Sequence, residues 1–196
     1  MTDLDSLGPK VASVLLCSPS LAAGADDACT DLLEDAASPN VLWIACGSRL
    51  DQLIDRWQRN TDAAPANAAA IVVSESGSAP APDDLPFAPR VSSVSNPSDL
   101  TGLGIEISEV LQEWAGEPEA ARVCFDSLTT LLQYVDLETA YEFLHVVAGR
   151  AYAADARVHF HLDAAAHDDR TVASLATLFD AVAELDDDGV ALRSRS

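Results

Sequence analysis

Short runs of uninterrupted apolar residues, each followed by a segment with helical spacing, constrain this chain more than any other feature. Val11–Cys17 (VASVLLC), Val41–Cys46 (VLWIAC), Ala70–Ser74 (AIVVS), Arg122–Phe125 (RVCF) and Arg157–Leu162 (RVHFHL) read as strands. A strand without polar alternation has no face to offer water, so it belongs in a sheet covered on both sides. Between these runs the helical pattern recurs. Two acids open Asp26–Glu34, and Leu50, Leu53, Ile54 and Trp57 fall at i, i+3, i+4, i+7. Ile105–Trp114, Leu128–Val135, Leu137–Tyr152 and Thr171–Phe179 read as further helices, and Arg90–Val94, Val182–Leu185 and Val190–Arg193 as further strands. The expected fold is a three-layer α/β sandwich around a mostly parallel, doubly wound sheet. One domain over residues 1–196 is expected, with the Pro-rich stretch Ser76–Pro89 (SGSAPAPDDLPFAP) as an exposed loop.

Charge sets the second constraint. Asp and Glu number 32 against 11 Lys and Arg, a net charge of −21, and Lys10 is the only lysine. Such acidity is the habit of halophilic proteins, because carboxylates hold water and cations where salt competes for hydration. Their repulsion is screened at molar salt, where the Debye length is ~3 Å. No Lys/Arg cluster is present to neutralise phosphates, so no nucleic acid partner is expected. No apolar run nears the ~20 residues of a membrane span, and MTDLDSLGPK lacks a signal pattern. A cytoplasmic location without membrane attachment is expected. The cysteines at 17, 29, 46 and 124 have no CxxC or zinc-like spacing and read as reduced, mostly buried thiols.

In a doubly wound sheet, ligands collect at the carboxyl ends of the strands. Ser18–Gly24, Gly47-Ser48, Asp126-Ser127 and His161–His167 lie there. The first segment has the strand, loop and helix of a phosphate loop and keeps Gly24. Ala25 and Asp26 stand where the phosphate-binding lysine and the magnesium-binding Ser/Thr would follow. At VCFDSLTTLL, an apolar strand leads to Asp126, then Ser127 and a short apolar-Thr stretch.

Together with VLLCSPS and the strand Arg157–Leu162, these motifs resemble the RecA/KaiC-like ATPases, in a degenerate haloarchaeal form without an intact P-loop. The resemblance implies RecA-like P-loop topology with a degenerate Walker A segment. It also implies that Arg157–Leu162 lies between Val11–Cys17 and Arg122–Phe125. Ser18, Ser20, Gly24, Asp126 and Ser127 would be vestigial nucleotide-site positions. Arg49 or Arg150 would be the available substitutes for the missing cation.

His159, His161, Asp163 and His167 form the candidate metal group. On a strand, 159, 161 and 163 share one face, so two imidazoles could meet one ion. The acid is not followed directly by histidine, and no histidine comes after His167. The expectation is therefore no metal and no cofactor, with His145 an ordinary helix residue.

Three functions follow. The first is a non-catalytic RecA/KaiC-like module that regulates or scaffolds through a protein partner or homo-oligomer. The second is a nucleotide or small-ligand sensor or enzyme at the strand ends. The third is a metalloenzyme built on His159 and His161.

The charge generates a first prediction. Dialysis from 1 M to 0.1 M salt lengthens screening from ~3 to ~10 Å, and circular dichroism should show loss of structure. A melting temperature that stays constant over that range would refute the halophilic reading.

Overall fold

The computed structural model describes residues 7–8, 11–19, 24–34, 38–87, 89–186 and 189–194. Its strands are β1 (Ser13–Cys17), β2 (Asn40–Cys46), β3 (Ala68–Val73), β4 (Arg90–Val94), β5 (Ala121–Asp126), β6 (Arg157–Leu162), β7 (Ala181–Asp186) and β8 (Gly189–Ser194). The helices are α1 (Ala25–Glu34), α2 (Leu50–Asn60), α3 (Leu100–Glu113), α4 (Leu128–Leu131), α5 (Leu137–Ala153) and α6 (Asp169–Ala176). The strands form one eight-stranded sheet in the order β4-β3-β2-β5-β6-β1-β7-β8. All neighbours pair in parallel except β7 and β8, which close the sheet as an antiparallel hairpin. β6 lies between β1 and β5, the position expected for it.

This order decides which helix covers which face. From β1 the chain steps to β2, β3 and β4 on one side, then returns for β5 and β6 and passes β1 to reach β7. Crossovers between parallel strands are right-handed, so opposite directions of travel lay their connections on opposite faces. Val14, Leu16, Trp43, Ala45 and Cys124 accordingly pack under Ala28, Cys29, Leu32 and Leu33 of α1 and Leu53, Ile54 and Trp57 of α2. Leu15, Leu42, Ile44, Phe125 and Phe160 pack under Leu103 and Ile107 of α3, Leu131 of α4, Leu144 and Val147 of α5 and Leu175 of α6. Each buried aliphatic side chain contributes roughly 1.5–3 kcal/mol. With aromatics at 6% of residues, the few rings are concentrated: Trp43 meets Trp57 edge-on at 6.2 Å, and Phe160 meets Phe179 at 5.0 Å.

Element limits differ from the sequence reading where caps or glycines intervene. α3 starts five residues before the expected Ile105, because Asp99 accepts a hydrogen bond from the Gly102 N–H at 2.8 Å and caps it. Gly102 and Gly104 weaken the helical signal over that first turn. Past Leu131 the expected helix tightens into i→i+3 bonds, Gln133 to Thr130 and Tyr134 to Leu131. α6 is capped by Asp168 and ends at Ala176, short of the expected Phe179. Phe179 is fully buried against Phe160 instead. The Pro-rich loop is mostly exposed, as expected, but Leu85 anchors it in the α1/α2 core.

The turn after β2 is the tightest backbone approach near the strand ends. Gly47 has φ +83°, and a Cβ there would lie 2.5 Å from both Cγ2 and Oγ1 of Thr130. Gly47→Ala should therefore cost about 1–3 kcal/mol through left-handed strain and overlap. Denaturant titration in molar KCl measures this, and an unshifted midpoint would show that the turn is not fixed by Thr130.

Candidate functional site beneath the first two helices

Side chains alternate along a strand, so Cys124 and Asp126 of β5 share one face, as do His159 and His161 of β6. The parallel register sets Cys124 beside His159. Both pairs face α1 and α2, which bring Cys29 and Arg56 down onto them. The result is a polar cluster inside an otherwise apolar layer. Cys29, Cys124, His159 and His161 are all at least nine-tenths buried. The sulfurs of Cys29 and Cys124 are 3.7 Å apart, and the Cys29 sulfur lies 3.3 Å from His159 Nε2. The two imidazole rings are 5.1 Å apart.

Asp126 closes the open end of this cluster. Its Oδ2 accepts from Arg56 Nη1 at 3.3 Å and its Oδ1 from Ser48 Oγ at 2.8 Å. Both partners of the ion pair are largely shielded, with 19% of the Arg56 side chain and 13% of Asp126 exposed. A pair so enclosed is screened little by salt. The cation is thus Arg56, not either arginine expected from the sequence. Arg49 pairs with Asp51 at the surface, and Arg150 donates to Gly104 O and Ser108 Oγ.

The titration of these groups follows from burial and charge. The hydrogen bond from Cys124 holds the Cys29 thiol well below its usual value, against burial. That same bond, then burial, pushes Cys124 well up. Burial lowers His159. Burial also opposes the charged form of His161, but Cys29 and Asp126 outweigh it and its pKa rises. Arg56 is raised for the same reason, with Cys29, Cys124 and Asp126 outweighing burial. Outside the cluster burial dominates, taking Cys17 up to about 11 and Cys46 up to about 12.

The remaining candidates have local duties. Ser18 is buried and its N–H donates to Leu162 O, joining the ends of β1 and β6. Gly24 has φ +92° and its carbonyl accepts the first bond of α1, from Ala28. Ser20 lies outside the described residues. Ser127 caps α4 by accepting from the Thr130 N–H, and its own N–H donates to Cys46 O.

The histidine group expected from the sequence is divided. Asp163 Oδ1 accepts from Ala165 N–H, and the Asp163 N–H donates to Thr129 Oγ1. His167 Nε2 lies 3.4 Å from the same hydroxyl. Asp163 and His167 therefore gather around Thr129, while His159 and His161 point into the cysteines. His145 is exposed on α5. Arg56, Cys29 and Cys124 escaped the sequence reading. Cys29 does fall at i, i+3 and i+4 with Leu32 and Leu33, and Cys124 shares the parity of Asp126, which were the available signals.

The fold and site define an α/β protein with helices on both faces of a mostly parallel sheet and a charge-compensated polar cluster under its first two helices. The chain belongs to the family described as "Family of unknown function (DUF7504)", which matches residues 11–185. A search of curated proteins finds no match. Among solved structures, it is similar to the uncharacterized protein PH0321 from Pyrococcus horikoshii, solved in complex with an unknown peptide. The TM-score is 0.59 at 13% identity, over 94% of this chain and 83% of that one. It is also similar to PH0250 from Pyrococcus horikoshii OT3, with a TM-score of 0.61 at 15% identity, over 95% and 86% of the two chains. At such identities the likeness concerns the fold alone. No helix among the described residues is long and apolar enough to cross a membrane.

Arg56 offers a direct test of the cluster's electrostatics. Arg56→Met strands Asp126 in a shielded position and should cost about 2–4 kcal/mol, somewhat below a fully buried pair because both groups keep some solvent. The double variant Arg56→Met/Asp126→Asn should regain much of that loss. Equal stability of the single variant and the parent in molar KCl would show that the pair contributes nothing.

Proposed function

We propose that this chain is a non-catalytic relative of RecA/KaiC-like ATPases, a regulatory or scaffolding module that works through protein contacts. The observation that carries this reading is the state of Asp126. In a working ATPase of this kind, the acid at this strand end serves magnesium. Here each of its oxygens already accepts a bond, from Arg56 and from Ser48. A carboxylate held by an internal guanidinium is poorly available to a hydrated cation. The placement of β6 between β1 and β5 supports the topology, and the loop before α1 offers no lysine.

Two further observations favour protein contact. Ile105, Val146 and Tyr152 expose large apolar side chains on α3 and α5, which a protein partner could cover. The Pyrococcus protein of similar fold holds a peptide, which is in keeping with a scaffold that uses its surface.

Titration calorimetry with Mg-ATP in molar KCl, alongside a phosphate-release assay, tests the loss of catalysis. The expected result is neither specific heat of binding nor turnover above background. Micromolar binding abolished by Asp126→Ala, or measurable turnover, would overturn the proposal in favour of a working nucleotide site.

A further inference from the structure

The polar cluster beneath α1 has more order than an ion pair requires. Cys29, Cys124, His159 and His161 each present one donor atom, and these atoms all lie within 4.8 Å of one another. Zinc bonds of about 2.3 Å to sulfur and about 2.0–2.1 Å to nitrogen, set tetrahedrally, give edges of about 3.8 Å between sulfurs and about 3.5 Å from sulfur to nitrogen. The corresponding separations here are 3.7 Å and 3.3 Å. A disulfide would need the sulfurs at about 2.05 Å. A second, independent observation is His161 Nε2, which is buried and has no hydrogen-bond partner. Native interiors rarely leave such an atom unsatisfied, and a metal ion held by the neighbouring donors would satisfy it.

We propose that Cys29, Cys124, His159 and His161 bind a single zinc ion that clamps α1 to β5 and β6. The donor set favours zinc over magnesium or calcium, which take oxygen ligands. Charge supports the assignment too. Two thiolates balance a divalent ion, both imidazoles stay neutral, and the adjacent Arg56–Asp126 pair balances itself, so the enclosed cluster carries no net charge. The Arg56 guanidinium also interacts electrostatically with the Cys29 and Cys124 sulfurs, and such charge from outside the ligand set tunes a metal site. Four protein ligands leave no open position for water, which makes the site structural rather than hydrolytic. Cys29 lies five residues beyond Gly24, about 7.5 Å along the helix. The ion therefore sits under α1, separate from the degenerate loop, and does not depend on the fate of nucleotide binding.

The test uses the full chain without a histidine tag, folded in molar KCl with zinc and then desalted. Elemental analysis should find one zinc per chain. Refolding with cobalt(II) should give thiolate charge-transfer absorption together with tetrahedral d–d bands. Cys29→Ser, Cys124→Ser and His161→Gln should each weaken binding by more than the roughly 10–100-fold loss typical of an outer-shell change. Asp163→Asn and His167→Ala should retain full stoichiometry. If the ligand variants fail to fold, the cobalt spectrum of the parent chain still decides. Absence of retained zinc with no thiolate band would overturn the proposal. So would a Cys29–Cys124 disulfide in natively purified protein, or metal lost from His167→Ala but kept by Cys124→Ser.

Discussion

A sheet covered on both faces leaves no water for polar side chains on its central strands, and the chemistry of this molecule follows from that constraint. β5 and β6 carry Cys124, Asp126, His159 and His161 on a single face, in the middle of the sheet order. Each of these groups has to be satisfied from the layer above. α1 and α2 supply that layer with Cys29 and Arg56, and the turn after β2 adds Ser48. An isolated carboxylate or guanidinium in such a place is costly, whereas a compensated set is tolerated. The cluster is therefore best understood as one unit, in which removing any member leaves the others with an unmet demand.

Crossover handedness explains why these particular residues meet. α1 and α2 lie on the face where the chain travels outward from β1, and α3 to α6 on the face where it returns. The two returning strands are inserted beneath the outgoing helices, so residues near position 29 are brought over residues near 124 and 159. Nothing local links them. The same geometry keeps Asp163 and His167 apart from their neighbours in sequence, since the chain turns at the end of β6 and hands them to Thr129.

That distinction marks how much could be read from the sequence. The strands were legible because burial on both faces erases polar alternation, as in VLWIAC and VASVLLC. The position of β6 was legible only as an implication of the family resemblance around Asp126, since periodicity carries no strand order. Cys29 and Arg56 were not legible as site residues. Cys29 sits on the apolar stripe of its helix like any small hydrophobe, and Arg56 stands between Ile54 and Trp57 on a helix whose other charged residues face solvent. Helix starts were hidden where a cap compensates poor propensity, as Asp99 does for Gly102 and Gly104.

The contrast between surface and interior bears on how such an acidic protein keeps its fold. Most of the excess carboxylates lie on the surface, where salt governs their repulsion within a screening length of a few ångströms. The Arg56–Asp126 pair and the thiol–imidazole cluster are screened little, because solvent ions cannot reach between the partners. Changing salt therefore acts on the shell and leaves the cluster's internal balance nearly as it was. A chain under this regime gains by placing its essential electrostatics in short, enclosed contacts, where solution conditions have the least purchase. Arginine suits that position better than lysine, since its guanidinium is planar, more weakly hydrated than an ammonium and always charged.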